Sequence, residues 1–310
     1  MDFHTQLNCR MCFSRNLEPF FDLGMQPLVN SLCKKEDLGK KESKYPLGLV
    51  FCMDCNLVQL SHVVDSHLLF PDDYVYHSSG IPNAPHFIKY AEEITLRFLK
   101  NQGDLVVEIG SNDGHLLSLV RQHGARVLGV DPARNVAAVA NSRGVSTYAE
   151  FFGEHGGEKI RKEHGAAQVV IGNNVVAHID DHHDLLRGVA ALLADDGVFV
   201  FEAPYLGDMF ETLAFDSIYH EHMSYLALHP LTIFLKKFGF EIFDVKPFSV
   251  QGNSLRYYAA PKGTYAIEPS VGFYFTQEKE RGFDRLAMYH GLVKKIKALK
   301  TDVRNVMFCL

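Results

Sequence analysis

Four cysteines form two Cys-x-x-Cys pairs, Cys9 with Cys12 and Cys52 with Cys55, in a chain of 310 residues. Two thiolates separated by two residues bind one ion from a tight turn, and two such turns complete a tetrahedral, structural zinc site. The spacing leaves a redox dithiol or free thiols open as alternatives. The interval between the pairs is long for a compact zinc ribbon, and Cys33 within it is the reserve ligand.

A second candidate site follows the apolar run Leu105–Ile109, where residues 108–114 read Glu-Ile-Gly-Ser-Asn-Asp-Gly. A buried strand that ends in a glycine turn before a helix lets a ligand approach the backbone at the edge of a parallel sheet. The turn lacks the Gly-x-Gly-x-x-Gly spacing of dinucleotide sites, and it carries the acids Glu108 and Asp113. An acidic turn favours a cationic or neutral ligand. S-adenosylmethionine (SAM), with a sulfonium and an ammonium group, fits that description.

Further residues extend this nucleoside site. Asp131 ends the next apolar run, where a carboxylate accepts hydrogen bonds from both ribose hydroxyls, although a lone Asp there is equally a helix cap. Phe151 and Phe152 are candidates to flank adenine, with a place in the core as the alternative. The SAM-binding set predicted here is Glu108, Gly110, Asn112, Asp113, Asp131, Phe151, Phe152 and Asn173.

The elements that must position these residues alternate between strand and helix patterns. Apolar runs at 105–109, 127–130, 169–171 and 198–201 are separated by helical patterns near 114–122, 133–142 and 181–194. A helix over 231–238 and strands near 240–246 and 254–260 follow, and an amphipathic pattern over 84–100 predicts a helix before the first strand. This alternation predicts an α/β fold with a parallel sheet between two layers of helices.

Four segments of the chain carry a family resemblance. They are the cysteine pairs, residues 108–114, Asn-Asn-Val-Val-Ala-His at 173–178 and Tyr-His-Glu-His-Met-Ser-Tyr at 219–225. Together they resemble the SAM-dependent sugar C-methyltransferases, which build branched deoxysugars on nucleotide diphosphate carriers. The resemblance implies a small zinc-binding domain, a Rossmann-like class I methyltransferase core and a C-terminal domain that helps to hold the sugar nucleotide.

The resemblance also implies a domain plan. We expect a zinc-binding domain over residues 1–70, a connecting strand and helix with active-site tyrosines over 71–102, and a methyltransferase core over 103–262. Residues 263–310 are expected to be a truncated C-terminal region, because the members that this sequence resembles continue well beyond this length. A truncated reading frame and a shortened branch of the family are both open.

The segment at 219–222 offers acid–base chemistry. Methylation at carbon needs a carbanion equivalent, which a sugar supplies when a ketone acidifies the proton on the neighbouring carbon. A histidine takes such a proton, and phenol, amide or imidazole groups stabilise the enolate oxygen. The resemblance assigns His222 as the base, with Tyr219 and Glu221 lining the site. A capping cluster and a second metal site are the alternatives for this segment.

Two tyrosines precede the core. Tyr74 and Tyr76 alternate along an expected extended strand and therefore point the same way. By the resemblance one of them closes the active site and assists the base. We assign Tyr76 to catalysis and Tyr74 to substrate binding, leaving the choice between them and a packing role open. The resemblance also places Asn174 and His178 toward the ketone or sugar hydroxyls, with a helix cap as the alternative for His178.

Composition narrows the function classes. Thirty-one Lys and Arg against 37 Asp and Glu give a formal charge of −6, which provides no global field for nucleic acid or an anionic membrane. No run approaches the roughly 20 apolar residues of a membrane span, and the N-terminus lacks a signal pattern, so we expect a cytoplasmic protein. The basic stretch at 292–300 is more typical of a solvated helix face than of a nucleic-acid site. The oligomeric state is left open.

The sequence therefore predicts SAM-dependent C-methylation of a nucleotide-diphosphate-linked keto-deoxysugar, in an enzyme that carries structural zinc. Two alternatives stand beside it. One is a SAM-dependent O- or N-methyltransferase of a small metabolite. The other is a truncated, non-catalytic protein that binds SAM and zinc.

Overall fold

The computed structural model describes residues 2–72, 74–80, 84–249 and 253–308. Its N-terminal part contains five strands and one short helix: β1 (Phe3–Thr5), β2 (Leu17–Gln26), β3 (Tyr45–Cys52), β4 (Val58–Leu60), β5 (His62–Val64) and α1 (Ser66–Leu69). The strands β2, β3 and β4 pair antiparallel in the order β4-β3-β2, and β1 pairs antiparallel with β5. This part is a β module, as the short apolar runs and turn residues favour.

The rest of the chain alternates strands and helices. The strands are β6 (Leu105–Ile109), β7 (Arg126–Val130), β8 (Thr147–Tyr148), β9 (Ala167–Asn173), β10 (Leu193–Pro204), β11 (Ser224–Tyr225), β12 (Phe240–Phe248) and β13 (Ser254–Pro261). The helices are α2 (Ala84–Phe98), α3 (His115–Arg121), α4 (Arg134–Ser142), α5 (Glu154–His164), α6 (His182–Leu192), α7 (Leu206–Thr212), α8 (Leu228–Lys236), α9 (Pro269–Arg281) and α10 (Leu286–Phe308). Among the described residues, no helix is both long and apolar enough to cross a bilayer.

Seven of these strands form one sheet in the order β12-β13-β10-β9-β6-β7-β8. The five strands from β10 to β8 are parallel, and β13 pairs antiparallel with both β10 and β12. The strand order reverses at β6, which is followed along the chain by β7 on one side and later joined by β9 on the other. A reversal of this kind opens a crevice at the carboxyl ends of the strands. The predicted Rossmann-like α/β fold is confirmed.

Helices cover both faces of this sheet. The helices α2, α3 and α4 pack on the face that presents Val106, whereas α5, α6, α8 and α9 pack on the face that presents Val107. Successive residues of a strand point to opposite faces, so a strand buried on both sides needs apolar residues at nearly every position. This requirement explains the continuous apolar run at Leu105–Ile109.

The N-terminal module and the large sheet share one apolar core. The two-residue strand β11 leaves the core region and pairs antiparallel with β4, with Ser224 opposite Gln59 and Tyr225 opposite Val58. At the other end, the ring of Tyr289 in α10 lies 5.2 Å from that of Phe20 and 4.9 Å from that of Phe51. Both β11 and α10 are therefore packed against the N-terminal sheet.

Two expectations about local structure need correction. The connecting strand expected between residues 71 and 80 is a loop in the residues described there, followed by a short 3-10 turn over Ser78–Gly80. The sequence reading also missed β8 and α5. A strand of two residues has no detectable alternation, and α5 is mostly polar, with only Gly157 and Ile160 buried.

Candidate active site

The four predicted thiols lie together where β3 ends. The Sγ atoms of Cys9 and Cys55 are 3.4 Å apart and those of Cys12 and Cys52 are 3.5 Å apart, with all four within 4.8 Å of one another. A zinc ion with Zn–S bonds of about 2.3 Å sets four tetrahedral sulfur atoms roughly 3.8 Å apart. The cluster therefore fits one zinc ion. Cys33 is exposed and lies outside the cluster, so no reserve ligand is needed.

A cavity of about 820 Å³ lies at the carboxyl ends of the large sheet, against the N-terminal module. Every residue predicted above to bind SAM, bind substrate or act in catalysis lines this cavity, except Glu108 and Asp113. The lining members of the predicted set are Tyr74, Tyr76, Gly110, Asn112, Asp131, Phe151, Phe152, Asn173, Asn174, His178, Tyr219, Glu221 and His222. The predicted nucleoside residues and the predicted catalytic residues thus share one cavity.

The glycine turn forms the floor of this cavity. Gly110 has a positive φ of +66°, and a Cβ added there would lie 2.9 Å from the side chain of Val175. Only glycine meets both conditions without strain. Beside it, Asp131 accepts the backbone N–H of Asn112 at 2.8 Å and that of Ala133 at 3.0 Å. Burial raises the pKa of Asp131, and the two backbone bonds oppose that shift.

Glu108 and Asp113 lie behind the turn rather than on the cavity wall. The Asp113 carboxylate is fully buried and accepts hydrogen bonds from the backbone N–H and the hydroxyl of Ser79, while Arg143 pairs with it at 3.1 Å. Asp113 therefore fixes the 78–79 loop from outside the cavity lining, and its contact with SAM stays a prediction. Glu108 is also buried, and burial together with the charges of Asp131 and Asp113 raises the pKa of Glu108.

Two side-chain amides leave acceptors open beside the turn. The Oδ1 atoms of Asn173 and Asn174 are buried, and neither has a hydrogen-bond partner among the described residues. Both residues line the cavity where β9 ends. A buried acceptor without a partner costs free energy unless a donor from water or a ligand reaches it. An ammonium or hydroxyl group of a ligand satisfies this requirement, so the lining fits SAM.

His222 lies in the same cavity as a neutral imidazole. Its Nδ1 is 2.8 Å from the carbonyl oxygen of Ser217, and its Nε2 is 3.0 Å from the hydroxyl of Tyr219. A carbonyl only accepts, so Nδ1 carries the proton and Nε2 presents a lone pair to the Tyr219 hydroxyl. Burial lowers the pKa of His222 to about 4, against the opposing bond to Ser217. The imidazole is therefore uncharged at neutral pH.

Another histidine of the cavity lining, His178, lies beside it. The ring of His178 is 5.0 Å from that of His222 and 6.0 Å from that of Phe70, with which it is stacked. Burial, followed by the neighbouring His222, lowers the pKa of His178. Two neutral imidazoles therefore line the wall around one point of the cavity.

Glu221 links three parts of the chain. Its carboxylate accepts a hydrogen bond from Asn30 Nδ2 at 2.6 Å and one from the Tyr74 hydroxyl at 3.3 Å. Burial raises the pKa of Glu221, and these two bonds oppose it. Burial, followed by the charge of Glu221, also raises the pKa of both Tyr74 and Tyr219, so these phenols stay protonated and act as donors.

The loop that carries Tyr74 and Tyr76 is held by asparagine side chains. Asn112 donates to the Tyr76 carbonyl at 2.9 Å and accepts the Ser78 N–H at 2.8 Å, while Asn135 donates to the Tyr74 carbonyl at 2.8 Å. These bonds occupy backbone groups that strand pairing would need. Asn112 was predicted to bind SAM, and the structure gives it this second role.

Sequence reasoning missed several residues of the wall. Asn30 and Phe70 both line the cavity, and neither belongs to a motif. Asn30 follows β2 in a long irregular segment, and only the tertiary contact with Glu221 reveals it. Phe70 ends the short apolar run Leu68-Leu69-Phe70, a pattern that predicts packing and does not distinguish a cavity contact.

Two family models match the sequence. Residues 9–70 match the model described as "Putative zinc binding domain", and residues 85–245 match the model described as "Methyltransferase domain". The C-methyltransferase NovU from Streptomyces niveus is 37% identical to this chain over 301 residues, which cover 96% of this chain and 71% of that protein. The sequence is thus similar to methyltransferases over nearly its whole length.

Solved structures are similar at lower identity. A SAM-dependent methyltransferase from Anabaena variabilis is 14% identical with a TM-score of 0.47, and the match covers 59% of this chain and 86% of that chain. Magnesium protoporphyrin IX methyltransferase from Synechocystis, solved with bound SAH, is 16% identical with a TM-score of 0.44, covering 56% and 81%.

The thiol cluster predicts a strict metal dependence. Purified protein should contain one zinc per chain, and Cys52→Ser should lose most of it and at least about 2 kcal/mol of unfolding free energy, because the N-terminal module folds around its ion. Elemental analysis and denaturant unfolding measure the two effects. Cys33→Ser is the matched control, and it should retain zinc and stability. Full zinc occupancy in Cys52→Ser would reject the assignment.

The turn predicts that Asp131 contributes to SAM affinity. Asp131→Ala should cost about 1.5–3 kcal/mol, roughly 10-fold to 100-fold in Kd, because hydrogen bonds to the ribose would be lost. Isothermal titration calorimetry measures the change. Asp216→Ala, which removes another carboxylate from the same cavity wall, is the control and should change Kd little. Equal affinities in the parent and Asp131→Ala would contradict the site.

Proposed function

The chain belongs to the methyltransferase family that joins a zinc-binding N-terminal domain to a methyltransferase domain and includes NovU, and we propose that it methylates a carbon beside the ketone of a nucleotide-linked deoxysugar. The observation that carries the proposal is the neutral His222, whose Nε2 lone pair lies in the cavity that also contains the glycine turn and Asp131. Methyl transfer to oxygen or nitrogen needs no base that removes a proton from carbon. Transfer to carbon does.

The proposed step begins with proton removal. His222 Nε2 takes the proton from the carbon next to the ketone, and the electrons of that C–H bond form an enolate. Tyr219 must leave Nε2 for this to happen, and its hydroxyl is then available to donate to the enolate oxygen. Its raised pKa keeps it protonated for that purpose. An enolate beside a new imidazolium forms an ion pair, which offsets part of the cost of charging a buried histidine.

Methyl transfer then follows along the cavity. When bound, SAM would supply an electrophilic methyl group on a sulfonium, with the electrons of the broken S–CH3 bond returning to sulfur as the enolate carbon forms the new C–C bond. The chain's own part is to hold the two reactants in line. Asp131 and the Gly110 turn hold the nucleoside end, and His178, Asn174 and the Tyr74–Glu221 pair face the acceptor. Loss of the proton from His222 to solvent restores the neutral base.

The charge of the cavity lining limits which parts of the substrate enter the cavity. Eight carboxylate side chains line the wall: Asp65, Asp131, Glu150, Asp180, Asp181, Asp184, Asp216 and Glu221. Within the residues that the structure describes, the lining contains neither Lys nor Arg. This wall attracts the cationic SAM and repels a diphosphate. We therefore place the sugar ring inside the cavity and the diphosphate of the carrier outside it.

Removal of the base is the first test. His222→Asn should bind SAM with an unchanged Kd and lose about two to four decades in turnover. It should also stop exchanging the sugar's α-proton with deuterated water, which isolates proton removal from methyl transfer. Mass spectrometry and NMR of a panel of nucleotide-linked keto-deoxysugars measure both activities.

His67→Asn is the matched control, since His67 also lines the cavity but is exposed. It should keep both activities. A His222→Asn protein that exchanges the α-proton at the parent rate would move the base to another residue. A parent enzyme that methylates a small metabolite at oxygen or nitrogen would replace the proposed function.

The pH profile is the second test. Only the neutral imidazole accepts a proton, so activity should rise with pH through the pKa of about 4 and stay flat from roughly pH 5.5 to 8. An ordinary histidine would lose activity below about pH 6.5. The α-proton exchange rate at subsaturating sugar, which reports the free enzyme, is the measurement. An acidic limb near pH 6.5 in an intact, folded sample would contradict a buried His222 base.

A further inference from the structure

Arg10 lies between two predicted zinc ligands and is buried. It follows Cys9 directly, and its side chain has no exposed area. Its Nε donates to Asp180 Oδ1 at 3.0 Å, and its Nη1 donates to the Leu60 carbonyl at 3.2 Å. A buried guanidinium is costly unless fixed partners satisfy it, and here Asp180 and Leu60 satisfy Nε and Nη1, while Nη2 is buried without a partner among the described residues. The turn over residues 9–13 is called the zinc knuckle below. Through the Arg10 side chain, this knuckle contacts two segments that are separate along the chain, at Leu60 and at Asp180.

Both segments lead to a histidine of the cavity. Asp180 lies two residues after His178 on the cavity wall. Leu60, whose carbonyl accepts from Arg10, donates its own N–H to the Met223 carbonyl at 3.0 Å, and Met223 directly follows His222. Arg10 is therefore connected to the His178 segment through the Asp180 side chain and to the His222 loop through the backbone of Leu60.

Gln59 fixes the same corner. It is fully buried, its Oε1 accepts the backbone N–H of Arg10 at 2.9 Å, and its Nε2 donates to the Asn8 carbonyl at 3.1 Å. Its backbone pairs with Ser224 at the start of β11. Gln59 therefore supports both the zinc knuckle and β11, the strand that follows the His222 loop.

The knuckle is also attached to the helices behind the cavity. The Met11 carbonyl accepts hydrogen bonds from His183 Nε2 at 3.0 Å and from Lys237 Nζ at 2.9 Å. The Phe13 ring stacks on that of His183 at 4.1 Å. Because His183 lies in α6 and Lys237 directly follows α8, a displacement of the knuckle would be transmitted to the core rather than absorbed by a free loop.

We propose that Arg10 is a positioning residue for the reaction, holding Asp180 on one side and Leu60 on the other so that His178 and His222 keep their separation of 5.0 Å. The inference rests on the proposed function, in which both histidines face the acceptor. Small displacements of reacting groups cost large factors in rate while leaving binding of a distant ligand intact. The zinc knuckle then has a catalytic purpose without touching substrate.

The test uses the full chain loaded with zinc and compares Arg10→Gln, Asp180→Asn and the double variant with the parent. The single variants should keep their zinc and bind SAM within about 2-fold of the parent, and kcat should fall roughly 10-fold to 100-fold with KM little changed. The double variant should lose no more than the larger single loss, because both changes break one contact. Arg10→Lys, which keeps one donor, should recover part of the loss.

Arg15→Gln is the matched control, because Arg15 is an exposed arginine of the same module and bonds to Asn8 at 3.4 Å. It should leave kcat unchanged. Parent-like kcat in Arg10→Gln would overturn the inference. So would additive losses with a raised KM in Asp180→Asn, which would make Asp180 a direct substrate contact.

Hydrogen exchange provides a readout that needs no turnover. Amides of residues 176–181 and 219–225 should exchange faster in Arg10→Gln and Asp180→Asn than in the parent, while β6 and β7 stay protected. If Arg10→Gln fails to fold, Asp180→Asn decides, since the Asp180 side chain is 42% exposed. Unchanged exchange in both segments would overturn the inference. An inactive parent would instead reject the proposed function and leave this readout valid.

Discussion

The antiparallel pairing of Ser224–Tyr225 with Val58–Gln59 is the contact on which the site depends. The loop before it, which carries Tyr219, Glu221 and His222, has no regular structure of its own. Side chains alternate across a strand, so a slip of one residue in this short pairing would turn Ser224 and Tyr225 to the opposite faces and displace the loop that precedes them. The thiol cluster at the end of β3 fixes β4 on the opposite side. The N-terminal module thus sets the position of the loop that carries His222.

Burial sets the chemistry that this loop can perform. The same exclusion of water that raises the pKa of Asp131 and Glu108 lowers that of His222 and His178. A cavity with acids near the nucleoside turn and neutral imidazoles near the acceptor suits a cationic methyl donor beside a carbon acid. The buried acids and the buried imidazoles need different ligand groups to offset the free-energy cost of their burial. The proposed reaction brings both kinds of ligand group into one cavity.

Local patterns predicted the parts of the fold that local physics determines. The strand β6 has the bounds that its apolar run indicated, and the cysteine pairs lie together as their spacing predicted. The glycine turn and Asp131 lie on one cavity wall because carboxyl ends of parallel strands meet at one edge. The sequence alone did not determine to which side of that turn an acidic side chain points. Asp113 looks like a ligand residue, yet it turns inward to Ser79 and Arg143.

Long-range contacts explain the remaining misses. Nothing near Asn30 indicates that it reaches Glu221, which is 191 residues away along the chain, and the pairing of β11 with β4 is equally remote in sequence. The loop of Tyr74 is extended in pattern, but Asn135 occupies its backbone. These features follow from packing between the zinc module and the core, which a single sequence does not display.

The attachment point of the methyl group tests the central claim most directly. The enzyme would be incubated with nucleotide-linked keto-deoxysugars and SAM labelled with carbon-13 in its methyl group, and the product examined by NMR. The account predicts one-bond carbon–carbon coupling between the labelled methyl and the ring carbon beside the ketone, with the original proton on that carbon lost to solvent. A labelled methyl on oxygen or nitrogen, or on a carbon that kept its proton, would contradict it.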